Sequence, residues 1–102
     1  KEGISNALLE AQAAGLPAVV SDIPGNRVVV HDGKTGLVVP VEDATALADA
    51  MVRLHRSPEL RAQMGQAART WAERDFSIDK IAARLEKYYL RALADGGASG
   101  HP

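Results

Sequence analysis

The chain has 102 residues, 12 Lys+Arg against 13 Asp+Glu for a net charge of -1, and no cysteine. That length holds one domain with few buried layers, the even charge balance lacks the basic field that nucleic-acid binding draws on, and disulfide staples and thiolate metal sites are excluded. No apolar run approaches the roughly 20 residues of a membrane-spanning helix, and with no cysteine and no charged-then-apolar leader the expected location is cytoplasmic.

The run from Ile4 to Ala14 places Ile4, Leu8, Ala11 and then Leu9, Ala13 at helical spacing, so a buried helix is predicted there. Ser5 or Asn6 can cap it, and Gly15 with Pro17 closes its other end. Ala18-Val19-Val20-Ser21 is a short β-branched run, expected as a strand covered on both faces. Asp22-Ile23-Pro24-Gly25-Asn26 reads as a turn, and Val28 to Val30 has the propensity of a second, very short strand. Asp32-Gly33 turns the chain again, and Gly36 leads into the strand-like Leu37-Val38-Val39 that Pro40 ends. Asp43 then caps a helix reaching Arg56, with Ala44, Leu47, Ala48, Met51, Val52 and Leu54 as its apolar stripe. Ser57-Pro58-Glu59 opens another helix running to Arg74, with a cap, a proline at the first position and an acid in the first turn. Ser77 caps the last helix, whose Ile78, Ile81, Ala82, Leu85, Tyr88, Tyr89 and Ala92 repeat helically. Residues 1–94 are expected to form one unit and residues 95–102 a flexible tail.

This order of elements makes half of a doubly wound α/β domain, in which ligands lie at the carboxyl ends of the strands. Ser21, Asp22 and the following turn fall on that rim. The N-terminus of the first helix offers unpaired amides and partial positive charge, a seat for a phosphate-bearing ligand across Gly3-Ile4-Ser5-Asn6. Glu2 and Glu10 stand on either side of that seat, ~12 Å apart along the axis and ~80° around it if the stretch is helical throughout. They are too far apart to share a proton and suit two separate hydroxyl acceptors with a diphosphate between them. The alternative is that acids near a helix start simply complement its dipole, worth ~0.3–1 kcal/mol.

The stretch Glu2-Gly3-Ile4-Ser5-Asn6-Ala7-Leu8-Leu9-Glu10-Ala11, with Ala14-Gly15-Leu16-Pro17-Ala18-Val19-Val20 and Asp32 through Pro40, closely resembles the C-terminal domain of the retaining GT-B-fold glycosyltransferases of family four, the glycosyl transferases group one. Glu2 and Glu10 match that family's E-x7-E motif. The resemblance implies a partial Rossmann-like GT-B C-terminal domain: short parallel strands followed by three C-terminal helices. It implies a catalytic role for Glu2, at the hydroxyls of the donor sugar near the reacting carbon, and ribose binding by Glu10. Backbone of Gly3, Ile4 and Ser5 would lie against the sugar and distal phosphate, with Asn6 and Leu8 on the nucleotide side. The donor would be a UDP- or GDP-sugar, transfer would proceed with retention, and neither a metal nor another cofactor is implied. An Arg/Lys pair holding the diphosphate and an N-terminal acceptor domain would lie upstream of Lys1. The chain is therefore expected to be a fragment, inactive alone. Val28 departs from the family, where a glutamate often follows the Gly25-Asn26 turn.

Other features carry less. Gly33-Lys34-Thr35 imitates the end of a P-loop but lacks its earlier glycine and its following helix. His31, His55 and His101 share no metal-ligand spacing. Trp71, Phe76, Tyr88 and Tyr89 read as core or interhelical contacts. Arg53, Arg56, Arg61, Arg69 and Arg74 read mainly as a solvated face, with peripheral contact to anionic lipid as the alternative. Uncovered apolar faces leave open a homodimer of the fragment. Two other readings stand beside sugar transfer: a non-catalytic helical interaction module, and a nucleotide-binding domain unrelated to sugars.

Overall fold

The computed structural model describes residues 4–96, apart from the side chains of residues 78, 79, 88, 92, 95 and 96. The elements run α1 (Asn6–Ala13), β1 (Ala18–Ser21), α2 (Pro24–Val29), β2 (Gly36–Val39), α3 (Ala44–Arg56), α4 (Pro58–Asp75) and α5 (Ile78–Gly96). The two strands pair in parallel, in register from Ala18 opposite Gly36 to Ser21 opposite Val39. A mixed α/β fold with short parallel strands and three C-terminal helices is therefore what the chain adopts. Helix α5 extends to Gly96, into the stretch expected as a tail, and the rest of that tail lies outside the described residues.

Alternation along the strands divides the core into two clusters, one on each face of the sheet. Val19, Leu37 and Val39 join Ala46, Ala50, Leu54, Leu60 and Met64 of α3 and α4. Ala18, Val20 and Val38 join Leu8 and Leu9 of α1, Val29 and Val30 at the end of α2, and Trp71 with Phe76. Helices thus cover both faces, as a parallel pair of strands requires.

Two elements correct the sequence reading. Val28 to Val30, expected as a strand, form instead the end of α2 and its C-cap, and all three are buried. Pro24 at the first helical position fixes the φ needed to start that helix, and Asn26 Nδ2 donates to Ser21 O at 3.0 Å across its entry. Complete burial, worth about 1.5–3 kcal/mol per valine, outweighs a β preference of ~1 kcal/mol at most. In α3 Ala50 and Leu54 are buried, with the half-buried Ala46 packed beside them, whereas Leu47, Met51 and Val52, expected on the inner face, are exposed.

The turn after α1 decides how that helix sits. Gly15, at φ +83°, ends α1 in a Schellman motif: its N–H donates to Gln12 O and that of Leu16 to Ala11 O, both at 3.0 Å. A side chain at Gly65 of α4 would overlap the Gly15 carbonyl oxygen, so these two glycines let α1 and α4 meet backbone to backbone. Arg69 Nη2 donates to Ala14 O at 3.2 Å beside this contact. The buried Gln12 donates from Nε2 to both Leu16 O, at 2.8 Å, and Thr35 O, at 2.9 Å, tying α1 to the loop that enters β2.

Between α3 and α4, Ser57 acts at both ends: its N–H donates to Leu54 O at 3.3 Å and its Oγ accepts from Leu60 N at 3.0 Å. Arg61 Nη1 donates to Leu54 O at 2.7 Å and His55 O at 2.8 Å, closing the carbonyl end of α3.

Candidate functional site at the start of helix α1

Residues 14–17 reverse the chain between α1 and β1, and α1 packs against β1, so the start of α1 lies toward the carboxyl ends of the strands. Helices α2 and α3 begin on the same side, directly after β1 and β2.

Ser5 is the N-cap, in extended conformation, its Oγ accepting from Leu8 N at 3.2 Å and its carbonyl from Leu9 N at 3.1 Å. The Oγ bond satisfies one of the four orphan donors of the first turn, the Leu8 N–H, while the Leu9 bond is the first of the helix itself. The helical amides of Asn6 and Ala7 have no acceptor among the described residues, and both residues are exposed. No acidic side chain occupies this first turn. Glu10 is exposed one turn further on, i to i+4 from Asn6, hence on the same face about 6 Å along the axis. Leu8 is half-buried and packs inward with Ile4 and Leu9. Glu2 and Gly3 lie outside the described residues.

The strand-end rim forms the neighbouring wall. Asp22 receives Arg27 in a two-pronged ion pair, Nε to Oδ1 at 2.7 Å and Nη2 to Oδ2 at 3.1 Å. That hydrogen-bonded guanidinium holds the Asp22 carboxyl below its ordinary range; partial burial opposes the effect and the Arg27 charge adds to it. A cavity of about 350 Å³ opens beside Ser21 and Val39, closed by Pro40, Glu42, Asp43 and Leu47. Glu42, in the loop between β2 and α3, holds φ +56° and lines this opening. With two acids and no basic residue in its lining, the cavity suits hydroxyl donors rather than phosphate. Sequence reasoning read Asp43 only as a helix cap, a role it does play for Ala46 N at 2.9 Å. The rule that ligands gather at strand carboxyl ends also covers the end of β2 and could have located this cavity.

Of the arginine series, Arg61 and Arg69 are committed to carbonyls within the fold. His31 is half-buried with its ring 4.1 Å from that of Trp71, and Trp71 meets Phe76 edge-on at 4.6 Å, so these aromatics are core contacts. The side chain of Tyr88 lies outside the described set. Among the described residues no helix is long and apolar enough to cross a membrane.

Comparison with known proteins gives these geometries a context. The family described as "Glycosyl transferases group 1" matches residues 1–71. The chain is 35% identical over 95 residues to N-acetyl-alpha-D-glucosaminyl L-malate synthase of Bacillus anthracis, covering 93% of this chain and 25% of that protein. It is 34% identical over 87 residues to the GDP-mannose-dependent alpha-(1-6)-phosphatidylinositol monomannoside mannosyltransferase of Mycobacterium tuberculosis, covering 85% of this chain and 23% of the relative. Among solved structures, sucrose-phosphate synthase from Thermosynechococcus elongatus superposes with a TM-score of 0.70 at 30% identity, over 90% of this chain and 23% of that one. The chain thus spans about a quarter of the length of the proteins it matches. With the matched segment running from the start of the chain through the sheet and into α4, the chain belongs to the glycosyl transferases group 1 family.

Proposed function

We propose that this chain is the donor-binding portion of an enzyme that moves a sugar from a UDP- or GDP-sugar to an acceptor with retention of anomeric configuration. The observation that carries the reading is the exposed start of α1, where the amides of Asn6 and Ala7 lack acceptors among the described residues and Glu10 stands one turn along the same face. A helix start carries about half a positive charge, so the donor's diphosphate rests there and its growing negative charge is stabilised as the sugar departs. Glu10, acceptor-only when ionised, receives the ribose hydroxyls, and Asn6 and the outer edge of Leu8 line the nucleotide. Backbone of Gly3, Ile4 and Ser5 faces the sugar and the distal phosphate. Glu2 meets the sugar hydroxyls beside the reacting carbon and is the catalytic residue of this reading. No step calls for a metal or another cofactor. The acceptor site and the cationic phosphate ligands belong to the remainder of the full-length protein, so the chain alone does not turn over. The GDP-mannose dependence named for the mycobacterial relative is in keeping with such a donor.

Titration of the full-length protein with UDP, GDP and their sugar conjugates tests the assignment. Glu10→Ala is expected to weaken free nucleotide by about tenfold or more, the loss of charged hydrogen bonds worth about 1.5–3 kcal/mol. Glu2→Ala is expected to lower turnover and affinity for the conjugate while leaving free UDP or GDP unaffected. Unchanged binding and turnover in both variants would remove the site. No response to any nucleotide would favour an interaction module, and equal affinity with and without the sugar a nucleotide-binding domain of another kind.

A further inference from the structure

A second cavity, of about 310 Å³, opens at the other end of the sheet, where the loop into β2 meets the last two turns of α4. His31 and Lys34 line it from the loop, and Thr70, Trp71, Arg74 and Asp75 from the helix. Asp75 is already engaged, with Lys80 Nζ at 3.6 Å and Arg84 Nη2 at 3.9 Å. Lys34 and Arg74 carry no ion pair among the described residues, so two positive charges face this opening without a counter-charge of their own. Trp71 is 8% exposed, and its indole N–H has no acceptor among the described residues. The Arg84 guanidinium, 4.7 Å from the Trp71 ring, adds positive potential behind it.

We infer that this cavity is an anion site, shaped for a phosphate monoester held between Lys34 and Arg74 with Trp71 in its wall. It lies at the amino ends of the strands, remote from the start of α1, and so serves a second ligand rather than the donor. Gly33, at φ +83°, fixes the turn that presents Lys34, and Lys34 N donates to His31 O at 2.9 Å, so one arm of the site is built into the backbone. Neutral when buried, His31 brings no charge of its own; burial first, then Arg84 and Lys34, hold its imidazole below the ordinary value, with Asp75 opposing them.

Trp71 is the one tryptophan of these 102 residues, so the difference in emission between the full-length protein and its Trp71→Phe variant reports this site. The full-length protein is titrated with inorganic phosphate against sodium chloride at matched ionic strength, and separately with phosphatidylcholine vesicles with and without phosphatidic acid. A saturable emission change with phosphate, absent with chloride and weakened about tenfold in Lys34→Gln and Arg74→Gln, is the expected result, since one charged hydrogen bond is worth about 1.5–3 kcal/mol. Arg53→Gln on α3, outside the cavity, is the control and should titrate like the parent chain. A change produced only by vesicles containing phosphatidic acid, and lost in the same two variants, would keep the phosphate site and assign its source to lipid. No saturable change with either probe, or one indifferent to both substitutions in variants whose circular dichroism matches the parent, would overturn the inference.

Discussion

Replacing Gly65 by alanine sets two effects of known size against each other. Alanine is favoured over glycine in a helix interior by ~1 kcal/mol, and Gly65 lies within α4, so propensity alone predicts stabilisation. The new Cβ, however, would overlap the carbonyl oxygen of Gly15 and sit 3.2 Å from its carbonyl carbon, inside the roughly 3.5–4.0 Å of an optimal carbon–carbon contact. The obstacle is backbone held by the Schellman turn, which no rotamer change can relieve, so α1 must move off α4 by ~1 Å. That strains the Arg69 to Ala14 hydrogen bond of 3.2 Å as well. Overpacking of this kind costs about 1–3 kcal/mol, and with rigid backbone on both sides the upper end applies. After the propensity gain, a net loss of about 1–2 kcal/mol remains, or a Tm lower by about 4–16 °C for a domain of this size. Thermal unfolding followed by circular dichroism gives the number directly. A Tm equal to or above that of the parent chain would refute the claim that the Gly15–Gly65 contact sets the position of α1.

Two further outcomes follow from the same packing and electrostatics. Gln12→Met keeps side-chain volume but abandons the carbonyls of Leu16 and Thr35; a loss of about 1–3 kcal/mol is expected, seen as a lower midpoint in urea with an unchanged slope. Because the Asp22 carboxyl is held below its ordinary range by Arg27, its contribution is complete above the unfolded value of about 3.9 and is lost as the pH falls through the lower folded one. Asp22→Asn should therefore lessen the decline in Tm between about pH 6 and about pH 2, by an amount within the ~1 kcal/mol of an exposed ion pair. A variant that loses as much stability on acidification as the parent would show that the pair contributes nothing there.

Sequence alone located every helix that carries caps. Ser5, Asp43, Ser57 and Ser77 each accept a backbone N–H at the start of a helix, and the Gly15 turn is where glycine and Pro17 place it. These signals are local, so no tertiary knowledge was needed to read them. Helix α2 escaped because its six residues contain Val28 and Val29 and no capping side chain, and its helicity comes from packing against α5 and α1. The buried face of α3 was misread for a related reason: its alanines at 46 and 50 face the core because the sheet comes close, a distance the sequence does not carry. At the candidate site, the exposed amides and Glu10 were legible from the cap and the helical period. For the acidic cavity at the end of β2, the strand-end rule marks the place but not the form, which is assembled from two strand ends and a loop in which Glu42 adopts φ +56°.

Backbone amide shifts of the full-length protein, titrated with UDP and GDP and in parallel with uridine and guanosine, test most directly whether the start of α1 holds a diphosphate. The largest movements are expected at Asn6 and Ala7, with the unphosphorylated nucleosides leaving both in place. Nucleotide binding that leaves those two amides unmoved, or nucleosides that shift them as far as the diphosphates do, would contradict it.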